Sequence, residues 1–236
     1  KITKITRAQI LHNNPQTSAD LLAQSGTVFM QKSQLGGGSP MIRGFATNRV
    51  LLVVDGARMN NAIYRSGNLQ NVISIDALST ETVEVIFGPG SLIYGSDAIG
   101  GVMDFRTMQP QLSADSKLLV KGSALTRYAT ANEEKTAHAD LNIGGRKWSL
   151  LGAFTHSDFN DLKMGKRGGQ DSYLRPEYVE RIDGADVIVA NDDPRVQRFS
   201  GYNQTNVLAK LRYQPNANTN LQYSYTHART GDAPRY

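Results

Sequence analysis

Four histidines, His12, His138, His156 and His227, are scattered singly along the chain, and none stands in an H-E-x-x-H or comparable metal-ligand spacing. Zero cysteines remove disulfides, cysteine zinc sites and thiol catalysis together. Ser and Asp residues occur without a base and an orienting group at recognisable positions, so no nucleophilic constellation is assembled. No catalytic residue is assigned, and the chain does not read as an enzyme. Gly88, Gly90 and Gly95 invite a phosphate-loop reading, but their spacing is not G-x-G-x-x-G, and Ser96 stands where G-x-x-x-x-G-K-[ST] places its lysine. A tight turn is the reading that remains. Asp161, Asp171, Asp183, Asp186, Asp192 and Asp193 crowd the stretch 159–203. Such hard oxygen ligands suit Ca²⁺, yet the spacing fits no EF-hand loop, and Asp192-Asp193-Pro194 is an ordinary turn signal. Calcium in that stretch is the one cofactor left open; no metal ligand is assigned.

The formal net charge is +5. A basic balance suggests nucleic acid, but no run of five Lys/Arg occurs, no aromatic residues interleave a basic stripe, and acids are mixed throughout. Nucleic acid is not an expected partner. No segment approaches the ~18–20 apolar residues of a membrane helix. That excludes a helical membrane protein and leaves a β-barrel open, whose strands signal far more weakly. No signal peptide opens the sequence at Lys1, so a mature or trimmed form is expected.

Two kinds of element must position whatever chemistry exists. Up to Pro110 the runs are short. Residues 1–10 alternate and predict a strand, broken at Asn14-Pro15. Thr17 with Asp20 three positions on has capping-box spacing and predicts a helix over 18–24. Residues 28–31 read as strand and Gly36-Gly37-Gly38 as a flexible tip. The runs 50–54, 82–87 and 101–105 are rich in branched side chains and bounded by Gly, Pro or Asp, the pattern of buried strands. Asp55-Gly56 and Gly88-Pro89-Gly90 supply tight turns, and 75–80 and 91–95 read as helical turns. Beyond Pro110 long alternating strands take over at 117–128, 136–143, 148–156, 204–213 and 220–226. Ala137, Ala139, Leu141 and Ile143 alternate with His138, Asp140 and Asn142, and Val207, Ala209 and Leu211 with Asn206, Lys210 and Arg212. Trp148, Tyr213 and Tyr223 lie near strand ends, where aromatic girdles sit. The strands alone would also fit a soluble β-sandwich with one wet face.

The ordered set Met41-Ile42-Arg43-Gly44-Phe45, Val54-Asp55-Gly56-Ala57-Arg58, Val83-Glu84-Val85, Gly88-Pro89 and Tyr94-Gly95-Ser96-Asp97-Ala98-Ile99-Gly100-Gly101-Val102 resembles the plug of TonB-dependent outer-membrane receptors, in the manner of those for haem, cobalamin and ferric siderophores. The resemblance implies a mixed α/β plug domain over 1–110, followed over 111–236 by antiparallel transmembrane β-strands. These would be the N-terminal part of a plugged outer-membrane β-barrel of about 22 strands when complete. An open five-stranded sheet would leave both edges unsatisfied in the bilayer, at a cost of roughly tens of kcal/mol. The chain is therefore expected to be truncated after Tyr236, and before Lys1, where the family's TonB-contacting segment lies.

Carried over residue by residue, the resemblance implies substrate contacts at Asn60, Asn61, Tyr64 and Arg65 in one outward loop and at Ser91 in a second. Arg43 would anchor the plug to carboxylates on the barrel wall, a job suited to a bidentate pair. Many relatives carry a second arginine before the Gly-Pro, and here Phe87 occupies that position. The implied function is energy-coupled import of a scarce substrate such as haem, a ferric siderophore or cobalamin. The implied partners are TonB with its inner-membrane complex and the lipid of the Gram-negative outer membrane, around a monomeric barrel. The stretch 159–203 is long enough for a lid over the substrate. The alternative is a surface-binding or adhesion protein that uses the same barrel without transport.

Overall fold

The computed structural model describes residues 1–32, 35–46, 49–59, 71–88, 91–95, 98–167 and 173–232. They form an α/β unit and a sheet of long strands, joined through 108–118. The unit opens with β1 (Ile2–Thr6), α1 (Arg7–Asn13) and α2 (Ser18–Gln24). The expected strand over 1–10 is therefore half helix, and the reason is local. The Thr6 side chain accepts from the Gln9 N–H and the Gln9 side chain returns to the Thr6 N–H, a capping box that starts a helix in mid-run. Thr17 caps α2 as its spacing predicts, accepting from the Asp20 N–H at 3.2 Å. Next come β2 (Phe29–Gln31), β3 (Ser39–Met41), β4 (Val50–Val54), β5 (Ala57–Arg58), a 3-10 turn at Asn71–Ser74, β6 (Thr80–Phe87), α3 (Ser91–Tyr94) and β7 (Gly101–Thr107). The helical turn expected over 75–80 falls earlier, because Asp76 organises those residues instead: its carboxylate accepts from the Leu78 N–H and the Ser79 hydroxyl.

The unit's sheet runs β1-β6-β7-β4-β5, with β4 and β7 parallel and the other pairs antiparallel. Ile10, Leu21 and Leu22 from the two helices pack on Ile5, Leu52, Val83, Val85, Met103 and Phe105 on one face. Leu51, Val53 and Val102 meet Ala98, Ile86 and Tyr94 on the other. Strand β4 is thus covered on both faces, which is why it reads as an unbroken aliphatic run rather than an alternating one. It ends in a two-residue hairpin turn, Asp55 at φ 48° and Gly56 at φ 85°, the left-handed pair that a type I′ turn demands.

The second sheet, the wall, contains β8 (Leu119–Ala129), β9 (Glu134–Gly144) and β10 (Trp148–Phe159). Beyond these, β11 (Leu162–Lys163), β12 (Glu177–Ile182), β13 (Ala185–Ala190) and β14 (Val196–Gln197) occupy the long connection. The wall then resumes with β15 (Tyr202–Asn216) and β16 (Thr219–Thr230). Its order is β16-β15-β10-β9-β8, antiparallel throughout. The connection 159–203 is not one polar loop: β11 pairs with β14 at its neck and β12 with β13 above.

Register puts Val120, Ile143, Leu150, Leu211 and Tyr223 in one row, and Gly122, Leu141, Gly152, Ala209 and Tyr225 in the next. This apolar face is the exposed one, with Val120 at 61%, Leu141 at 47%, Phe154 at 49% and Tyr223 at 66%. The polar face is the covered one, and Glu134, Ser149 and Lys210 on it are 0% exposed. A soluble sandwich buries its apolar face, so the two-faced pattern is inverted here. It matches a barrel wall with lipid outside and a polar lumen inside, and it removes the sandwich alternative.

Candidate functional site at the plug–wall interface

The wall's polar face is covered by the α/β unit, and the contact between them is the most elaborate polar site among the described residues. Three clusters build it. At the first, the turn after β4 projects Asp55, whose carboxylate accepts from the Thr107 N–H at 3.0 Å and the Thr107 hydroxyl at 2.6 Å. Lys210 of β15 brings Nζ to 2.9 Å from Asp55 Oδ2. Its side chain is wholly buried between Leu151 and Ser224 on the flanking strands. A buried ammonium is tolerated only with a counter-charge, and Asp55 supplies it.

At the second, Arg127 of β8 pairs with the fully buried Glu134 of β9, at 2.7 Å from Nε and 2.6 Å from NH2. The same guanidinium donates to Asn14 Oδ1 and the Pro15 carbonyl, both at 2.9 Å. Glu134 in turn accepts from Gln16 Nε2 at 2.6 Å. The α1–α2 corner is thereby gripped by one wall cation and one wall carboxylate. At the third, Asn206 Nδ2 donates to the Ser74 carbonyl at 3.0 Å, and the Thr155 hydroxyl donates to Asp76 at 2.6 Å. Because that hydroxyl proton is spent on Asp76, the 2.7 Å contact with His138 Nδ1 has the imidazole donating.

The interface is not wholly polar. Met108 packs on Leu151, Ala153 and Leu208, and Gly36 lies flat against the Tyr202 ring, where a Cβ would run into the hydroxyl. The glycine tip expected to be flexible is therefore buried, under a Tyr202 ring stacked on Phe159 at 4.7 Å. The cavities between unit and wall among the described residues include ones of about 290 and 280 Å³.

Arg43, the expected anchor, sits with Gly44 in a two-residue turn closed by paired bonds between Ile42 and Phe45. Its guanidinium lies over the Phe87 ring, 5.4 Å from the centroid, with Lys1 Nζ also over that ring at 6.0 Å. Among the described residues Arg43 has no ion pair with a carboxylate. Phe87, where a second arginine was expected, is thus the cation–π platform for the first. Asn60, Asn61, Tyr64 and Arg65 lie outside the described residues, as does the side chain of Ser91, the first residue of α3.

In the long connection Asp161, Asp186 and Asp193 are engaged, Asp186 with Arg181 at 3.1 Å. Asp161 accepts from the Ser200 and Gly201 N–H groups at 2.8 and 3.0 Å. Asp193 is 2.7 Å from Lys163 Nζ and accepts from Arg195 Nε at 3.1 Å, and these cations hold its carboxyl well below the usual range. Among the described residues no group of three or more His, Asp or Glu is placed to hold a metal.

Within the unit one carboxylate is poorly served. Asp104 on β7 is 6% exposed, its Oδ1 has no hydrogen-bond partner among the described residues, and its Oδ2 meets Arg106 Nε at a long 3.4 Å. Burial pushes its pKa up, with Arg106 opposing. A carboxyl with a raised folded-state pKa takes up a proton more readily folded than unfolded. Stability is therefore lost as pH climbs from the unfolded value, about 3.9, through the folded one. Asp104→Asn should stabilise the unit at neutral pH by about 1–3 kcal/mol, because it removes a poorly paired buried charge while keeping the side chain's shape. The gain should fade toward pH 4. Thermal melts of parent and variant across pH 4–8 check it.

The TonB-dependent Receptor Plug Domain family matches residues 1–102. The chain is 34% identical over 170 residues to the Vitamin B12 transporter BtuB of Vibrio vulnificus (strain CMCP6), covering 70% of this chain and 26% of that protein. It is 32% identical over 93 residues to the Hemin receptor of Yersinia pestis, covering 39% of this chain and 13% of that protein. In fold it is similar to the FrpB iron transporter from Neisseria meningitidis, with TM-score 0.68 and 18% identity over 98% of this chain and 32% of that one. It is similar also to the copper transporter OprC, with TM-score 0.67 and 18% identity over 93% of this chain and 29% of that one. The chain thus spans about a quarter of the length of the first curated relative. Residues 1–102 belong to the TonB-dependent Receptor Plug Domain family, and the whole chain, a plug-type unit seated on strands that turn their polar face inward, shares its fold with the receptors that carry that domain.

Proposed function

We propose that this chain supplies the plug, over 1–110, and the first wall strands, over 111–236, of an energy-coupled importer in the Gram-negative outer membrane. The observation that carries the reading is the plug's hold on the wall. It consists largely of charged and hydrogen-bonded contacts, Asp55–Lys210, Arg127 with Asn14 and Pro15, Glu134 with Gln16 and Asp76–Thr155, beside the apolar contacts of Met108 and Gly36. Hydrogen bonds exchanged for water net only ~0.5–1.5 kcal/mol each. Such an interface closes a wide lumen yet can be rearranged piece by piece under a pull. The outer membrane has no energy source of its own, so TonB, driven from the inner membrane, is the partner that fits. The relatives' names point to a scarce metal complex, haem, a ferric siderophore or cobalamin, as substrate. Asn60, Asn61, Tyr64, Arg65 and Ser91 are the proposed contacts, and Arg43 is proposed to reach a carboxylate on a further wall strand.

Binding and uptake should separate. Cells expressing the receptor should bind their substrate with or without TonB, testing cyanocobalamin, haemin and ferric enterobactin in turn. Uptake should fall at least tenfold without TonB or when the proton gradient is collapsed. Uptake at full rate without TonB would make this a passive pore, and binding that never leads to uptake would make it an adhesin.

A further inference from the structure

Arg7 is the first residue after β1, so once β1 is drawn off its partner β6 the pull reaches Arg7 next. Its NH1 donates to the Leu78 carbonyl and to the Thr80 carbonyl, the latter at 3.1 Å. Both acceptors belong to the segment that carries Asp76 to the wall. Nε and NH2 make no hydrogen bond among the described residues. Beside the guanidinium is the cavity of about 280 Å³, with Glu81 on the plug side and Ser123, Asp140 and Asn142 on the wall side. Burial draws the Arg7 pKa down, while Asp140, Asp76 and Glu81 oppose it. The cation therefore sits among several anions and is hydrogen-bonded to none of them. Asp140 is held in place by the Ser123 hydroxyl and lies 3.5 Å from His138 Nε2.

We propose that Arg7 is a transferable clamp: it holds the resting plug through the Leu78 and Thr80 carbonyls, and passes to the wall carboxylate Asp140 when β1 is drawn out of the sheet. The present acceptors are neutral carbonyls; the one across the cavity is a charged carboxylate that an arginine can take with two parallel bonds. Moving to it needs room, and the cavity provides that. The consequence is a halted state in which β1 has left β6 while α2, β4, β6 and β7 keep their core. The first stage of opening then stops short of ejecting the plug. The inference rests on the importer reading only for the source of the pull.

Pulling can be applied without substrate or TonB, so the two ideas fail separately. The chain has no cysteine. A Lys1→Cys variant of the full-length receptor in liposomes, with any cysteine outside this chain first replaced by serine, can be tethered at that residue and drawn in a single-molecule instrument. Because β1 is already extended at ~3.3 Å per residue, freeing the residues up to Thr6 adds little length, and the expected trace shows a force drop as β1 leaves β6, the first step, followed by a pause. Arg7→Gln should abolish the pause. Asp140→Asn leaves the resting Arg7 bonds untouched, and should shorten the pause about tenfold without altering the force of the first step. A pause that survives Arg7→Gln, or an Asp140→Asn lifetime within twofold of the parent, overturns the proposal.

Discussion

Asp55→Ala will destabilise the seated plug by about 3 kcal/mol, whereas Lys210→Met will cost little or even stabilise it. The asymmetry follows from burial. Lys210 is 0% exposed and Asp55 18%. Removing the carboxylate strands an ammonium in a dry contact, with no route to water except by pulling the wall and plug apart. Removing the ammonium instead leaves Asp55 with both Thr107 donors and some solvent. The methionine fills most of the lysine's volume. The double variant should recover most of the loss, giving a coupling energy of roughly 2–3 kcal/mol in a double-mutant cycle. Chemical denaturation of the four proteins in detergent, read through a plug-specific label, measures it. Equal losses from both single variants would mean that the pair adds net stability of its own.

Leu141→Arg will cost about 2–4 kcal/mol in a membrane, and Tyr213→Arg no more than about 1 kcal/mol. Leu141 lies in the middle row of the wall's exposed face, flanked by Gly122 and Gly152, while Tyr213 pairs with Trp148 at the end of the apolar rows. Both are nearly half exposed, at 47% and 46%. On a sheet facing water the two substitutions would be equivalent and each within about 0.5 kcal/mol of neutral. A depth-dependent difference is expected only if lipid covers the middle row. Folding of the full-length receptor into vesicles, followed by urea titration, gives both values.

Much of this architecture is legible in the chain because strand periodicity is local. The alternation at 136–143 places His138 and Asn142 on one face without any knowledge of what covers them. The errors are also local. Thr6 and Gln9 form a capping box that alternation hides, since Ile2, Ile5 and Ile10 can be read as one strand or as a strand followed by a helix. In the long connection, Asp183-Gly184 between two branched runs is the strongest short-range hairpin signal. Its acid reads equally as a candidate calcium ligand, which masks the turn; in the structure Asp183 and Gly184 take φ 50° and 83°. The latches are different in kind. Lys210 is one polar residue among several on an alternating strand, and nothing near it names Asp55. The same holds for Arg127 and the α1–α2 corner. Such pairs are set by how two units dock, and docking leaves no periodic trace. What the sequence does carry is a weaker hint: a lysine beside Leu208 on the strand face shared with Gln204, Asn206 and Arg212 must find an anion or remain wet.

The central claim is that the covered polar face is lumen and the exposed apolar face is membrane. Cysteines introduced singly along 135–143 of β9 and spin-labelled in a vesicle-embedded receptor test it most directly. Collision rates with oxygen, which concentrates in lipid, should be high at 137, 139, 141 and 143. They should be low at 136, 138 and 142, and a water-soluble nickel reagent should reach neither set in the middle of the strand. Oxygen contact at the even positions, or nickel contact at 139 and 141, would contradict the account and return the strands to a soluble sheet.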